Sequence, residues 1–124
     1  VRVRERLVRG LEAIKAHEAT LSEHFLREAA NVPGLRVYGI TDIEMLAQRT
    51  PTFAVELVGR APAEVAAWLG ERGFFVWDGH YYAIAVMERL GTLERGGLVR
   101  IGFVHYNTIA EIDRLLAALR ELAD

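Results

Sequence analysis

The 124-residue sequence contains no cysteine, which removes disulfides, thiolate nucleophiles and cysteine-based metal sites together. Lysine is almost as scarce. Fourteen arginines accompany one lysine, Lys15, so chemistry through a lysine amine has a single candidate. No apolar run reaches the roughly 18 residues that cross a bilayer. Arg2, Arg4, Glu5, Arg6 and Arg9 crowd the first ten positions, a pattern unlike a signal peptide. A formal net charge of −2 gives no global pull toward nucleic acid, and the early arginines alternate with Glu5 and apolar residues. Neither a nucleic-acid nor a membrane partner is expected, and the composition fits a cytoplasmic protein. The nucleophile motif GxSxG and the metal motif HExxH are both missing.

What is present suits a soluble globular chain, with 52 % hydrophobic and 26 % charged residues, and the length suits one domain over 1–124. Residues 1–30 read as one long helix, with Leu7, Leu11, Ile14, Leu21 and Phe25 near one face. Its length leaves the first turns free to pack on something outside this chain. Lys15 lies beside that face and reads as a solvated lysine with a packed stem. Pro33-Gly34 stops the helix and turns the chain. Strands are predicted at 35–38, 52–58, 74–77 and from Leu98 to about Val104. Residues 39–50 read as a loop with a short helical turn. Helices are expected over 62–72, opened by Pro62, and over 83–90, closed by Gly91. Residues 78–83 read as a polar, aromatic loop, and 92–97 as a turn. The order predicts an α/β (α+β) two-layer sandwich, a small, mostly antiparallel sheet with helices packed on one face.

One stretch, from Leu98 to Glu111, organises the rest. Leu98, Val99, Ile101, Phe103 and Val104 form a strand-like apolar run with one charge, Arg100, in its middle. An apolar strand keeps a guanidinium when an anion or a carboxylate meets it. Arg100 therefore binds a ligand anion, most simply a carboxylate, or it pairs with an acid such as Glu56 on a neighbouring strand, or its side of the sheet is open to water. Thr108 and Glu111 have the spacing of a capping box, and Ile112, Leu115, Leu116, Leu119 and Leu122 follow at helical spacing. In the loop, His80 is either a proton-transfer or ligand-binding group or the cap of a turn. Tyr81 and Tyr82 are ligand contacts or packing. Asp78, His80 and His105 lack the spacing of a metal motif, and His17 and His24 stand two helical turns apart, about 10 Å. No metal site is expected.

Three segments together resemble a known family. Gly73-Phe74-Phe75-Val76-Trp77-Asp78-Gly79-His80-Tyr81-Tyr82-Ala83 is similar to a glycine-led strand followed by a Gly-His loop. Val99-Arg100-Ile101 matches a strand arginine. His105-Tyr106-Asn107-Thr108 with Glu111-Ile112-Asp113 is similar to the approach to a last helix. All three, in register, resemble the small C-terminal domain of class V aminotransferases, the pyridoxal-phosphate group that includes cysteine desulfurases. The resemblance implies the small domain of a fold-type I enzyme, with its α/β part over 35–124, closing over an amino-acid substrate. It implies that Arg100 binds the substrate carboxylate and that Gly79, His80, Tyr81 and Tyr82 form the active-site loop. It also implies a homodimer and pyridoxal 5'-phosphate held by a large domain outside this chain, with no cofactor bound by the present residues and no activity without that domain. Lys15 does not match the family's cofactor lysine. Two departures stand out. Tyr82 occupies the place of the desulfurase cysteine, and Trp77 replaces an arginine that often precedes the loop. The alternative is a free-standing ligand-binding or interaction domain of the same fold without catalysis.

Overall fold

Phe53, Val55 and Leu57 alternate with more accessible residues along β2 (Thr52–Leu57), and all three reach the core, as a strand with one covered face requires. The computed structural model describes residues 2–124. Around β2 the chain runs α1 (Val3–Ala29), β1 (Leu35–Tyr38), a 3-10 turn (Ile43–Gln48), β2, and α2 (Pro62–Glu71). Then follow β3 (Trp77–Gly79), α3 (Ile84–Leu90), a 3-10 turn (Leu93–Arg95), β4 (Leu98–Gly102) and α4 (Ile109–Ala123). The sheet order is β1-β2-β4-β3 and every pairing is antiparallel. Residues from α1, α2 and α4 close over Phe53, Val55, Leu57, Val99 and Ile101 in one core cluster. This is the expected small antiparallel sheet with helices.

Two boundaries depart from expectation. The first helix begins at Val3 and ends at Ala29, and the expected start at Val1 lies outside the described residues. The third strand is Trp77–Gly79, not 74–77. Leu98, Val99 and Arg100 pair with Gly79, Asp78 and Trp77, so the ladder begins only at Trp77. The Phe74 N–H instead bonds back to the Leu69 carbonyl at 2.9 Å, closing the end of α2. Phe74 and Val76 still pack on the core, so their apolar character reports burial rather than pairing. Asp78 and Gly79, expected in the loop, are in that strand.

α1 is covered only in its second half. Leu21 and Phe25 are fully buried, whereas Leu7 and Leu11 remain 63 % and 65 % exposed. Phe25 meets Phe53 and Phe103 at ring-centroid distances of 4.4 and 5.4 Å. Two histidines fasten α1 to the start of α4: His17 Nε2 lies 3.0 Å from the Asn107 carbonyl, and His24 Nε2 lies 2.6 Å from Asp113 Oδ1.

The predicted capping box opens α4. The Thr108 N–H donates to Glu111 Oε2 at 2.7 Å, and the Glu111 N–H donates to Thr108 Oγ1 at 3.3 Å. The bonds that Thr108 donates to the carboxyl, first from its backbone N–H and then from its hydroxyl at 3.1 Å, hold Glu111 below its ordinary value of 4.5. Thr108→Ala is expected to cost about 1 kcal/mol of stability, read from urea midpoints. A carboxyl with a lowered folded-state pKa contributes stability that is complete above pH 4.5 and fades as the pH falls through the lowered value. The deficit of the variant should therefore shrink in acid.

Candidate functional site

Val99 and Ile101 point into the core, so the period of the strand sends Arg100 to the opposite face of β4. There it is exposed, flanked in register by Ala54 on β2 and Trp77 on β3. Glu56, the acid considered as its partner, is occupied elsewhere. It accepts from Tyr38 Oη at 2.8 Å and meets Arg95 at 2.8 Å and Arg36 at 3.8 Å. Among the described residues no carboxylate forms an ion pair with Arg100. Its guanidinium instead lies near two rings, with Cζ 5.2 Å from the Tyr81 centroid and 5.9 Å from that of Trp77. Such contacts contribute roughly 0.5–1 kcal/mol at an exposed position and leave the hydrogen-bonding fork free.

The adjoining loop is held in an unusual shape. Tyr81 and Tyr82 both have positive φ, 53° and 59°, a region that side chains other than glycine seldom adopt. The Tyr82 N–H donates to His80 Nδ1 at 3.0 Å, and the Ala83 N–H donates to the His80 carbonyl at 2.7 Å. His80 thus caps the turn, and a neutral ring carries its proton on Nε2. Tyr82 stands out at 94 % exposure. Tyr81 turns inward. Its hydroxyl is buried with no hydrogen-bond partner among the described residues. Burial raises its pKa, with Asp78 adding to the shift and Arg100 opposing it.

Gly97 fixes the distance between loop and strand. A Cβ at this position would lie 2.1 Å from the Gly79 carbonyl oxygen and 3.0 Å from the His80 nitrogen. Its φ is +84°. Sequence reasoning read Gly96-Gly97 as a plain turn; the double glycine before the strand was the available signal of a close backbone approach.

The expected loop residues and Arg100 therefore meet in part. Tyr81 reaches the guanidinium, Gly79 touches the start of β4, and His80 and Tyr82 form the turn. His105 is exposed and stacks edge-on with Tyr106 at 5.5 Å. Among the described residues no three His, Asp or Glu side chains gather as a metal site. Lys15 is exposed on α1, beside a cavity of about 700 Å³ that Ser22, Leu46 and Arg49 also line. No helix among the described residues is long and apolar enough to cross a membrane.

Comparison with known proteins gives this site a setting. Residues 7–115 match the family model described as aminotransferase class-V. A probable cysteine desulfurase of Mycolicibacterium paratuberculosis is 36 % identical over 115 residues, covering 93 % of this chain and 16 % of that protein. A cysteine desulfurase of Cronobacter sakazakii is 34 % identical over 110 residues, covering 89 % of this chain and 25 % of the other. The solved cysteine desulfurase of Thermococcus onnurineus NA1 is similar with a TM-score of 0.83 at 28 % identity, over 96 % of this chain and 28 % of its own. The present chain spans less than a third of the length of each.

Proposed function

Since this chain belongs to the class-V aminotransferase family, we propose that it is the small, substrate-closing domain of a pyridoxal-phosphate enzyme acting on an amino acid, with Arg100 binding the substrate carboxylate. One observation carries the reading: Arg100 projects from an otherwise core-directed strand, beside the Gly79–Tyr82 loop, with its fork free of any carboxylate among the described residues. A two-pronged guanidinium contact fixes both the place and the orientation of a carboxylate. Held so, an amino acid presents its amine and α-carbon in one direction, which is the positioning an enzyme needs before any bond changes.

The cofactor, when bound in the full-length enzyme, supplies the electron sink. The residues of this chain do not fit it. Lys15 is exposed on α1, and no lysine accompanies Arg100, Trp77 and Tyr81. The cofactor lysine and the phosphate-holding groups therefore belong to a large domain. The uncovered Leu7 and Leu11 stripe of α1 is suited to pack against that domain. A homodimer and a cytoplasmic setting complete the proposal. A chain with no cysteine offers no loop cysteine for persulfide chemistry, and the reading leaves a transamination, lyase or epimerase step on an amino acid open.

The mass of the native polypeptide, detected in source cells with an antibody to this domain, tests the reading. A band several times 13.9 kDa is expected. A band near 13.9 kDa would overturn it in favour of the free-standing binding domain.

A further inference from the structure

We infer that Trp77 determines substrate specificity, selecting an α-amino acid with an apolar or aromatic side chain over one with an acidic side chain. The inference rests on Arg100 being the carboxylate site. Trp77 sits opposite Arg100 in the β3–β4 ladder, and its ring centroid is 5.9 Å from the guanidinium carbon. A carboxylate on the fork of Arg100 stands about 4 Å from that carbon, given hydrogen bonds of about 2.8 Å. An amino acid that extends from the fork toward β3 then meets the indole.

The indole is accessible and apolar: Trp77 is 61 % exposed. Tyr81 backs the guanidinium at 5.2 Å, so the single cation of the site is braced by one ring and bordered by another. Arg95 and Glu56 are already paired with each other at 2.8 Å. One cation can satisfy one carboxylate. A second carboxylate on the substrate, directed at the indole, would have to leave water for the negative face of an aromatic ring. An aliphatic or aromatic side chain gains contact area on the same surface. In the adjoining turn Tyr81 and Tyr82 are both left-handed, with Tyr82 exposed and Tyr81 5.2 Å from the guanidinium.

Binding of L-phenylalanine, L-alanine and L-aspartate to the full-length, cofactor-loaded protein, measured by calorimetry, tests this. The parent should bind phenylalanine at least tenfold more tightly than aspartate. Trp77→Ala should weaken phenylalanine about tenfold and alanine less than twofold. Trp77→Phe keeps a ring and should keep the preference. Trp77→Arg adds a second cation and should move the preference toward aspartate. Equal losses for all three ligands in Trp77→Ala, or a parent that favours aspartate, would overturn the inference while leaving the carboxylate role of Arg100 standing. Unchanged binding in Arg100→Ala would instead remove the reading beneath it, and the inference with it.

Discussion

Arg100→Ala in the full-length protein is expected to weaken amino-acid binding by about 10²-fold or more, with little change in folding. The magnitude follows from truncating one side of a hydrogen-bonded charge pair, which costs roughly 2–5 kcal/mol in a complex. The small folding effect follows from position. The side chain of Arg100 is exposed, meets no carboxylate among the described residues, and lies near two aromatic rings. Loss of those contacts is worth about 1 kcal/mol or less. Calorimetric affinity and the urea midpoint therefore separate the two consequences. Arg100→Lys retains the charge but not the planar fork, and an intermediate loss is expected. A variant that binds amino acids like the parent would show that the carboxylate is held elsewhere.

Gly97→Ala should be the most disruptive of the glycine-to-alanine changes. The added carbon would stand 2.1 Å from the Gly79 carbonyl oxygen and 2.3 Å from its carbon, both backbone atoms that cannot rotate aside. Its φ of +84° adds the cost of a left-handed alanine, about 1–2 kcal/mol. Together these place the destabilisation at about 2–4 kcal/mol, the upper range for point variants. The urea midpoint should fall with its slope unchanged. Because the displaced atoms begin the loop that carries Tyr81, amino-acid binding should fall as well. Gly10 is the natural control. It lies within α1 with nothing within 4 Å of an added Cβ, and Gly10→Ala is expected to stabilise by up to about 1 kcal/mol. A Gly97→Ala protein as stable as the parent would mean that loop and strand can separate freely.

Residues whose meaning is local were readable before the structure. The capping box at Thr108, the alternation along β2 and the odd position of Arg100 each depend on spacing within a few residues. Residues whose meaning depends on a distant partner were not. Trp77 closes a ladder that only the register of β4 defines, so apolar character at 74–76 suggested a strand three residues early. Gly97 matters because of Gly79, eighteen positions away in the chain. Tyr81 gave no hint of its inward turn, since a left-handed tyrosine runs against its own preference. The apolar stripe of α1 was legible as a stripe. Periodicity reports that a helix face seeks cover, not which chain supplies it, and Leu7 and Leu11 stay open here.

α1 also has a mechanical consequence. Its 27 residues make a rod about 40 Å long, gripped at one end by Leu21, Phe25 and Leu26 and pinned to α4 by His17 and His24. About half of that length extends past the core as a lever arm. A tilt of five degrees about the gripped end moves the tip by only about 2 Å, on the scale of a side-chain adjustment. Run the other way, a 2 Å displacement of the first turns, carried by an unbent helix, turns its gripped end by those same few degrees. Whatever seats Leu7 and Leu11 thus has a long arm on the core.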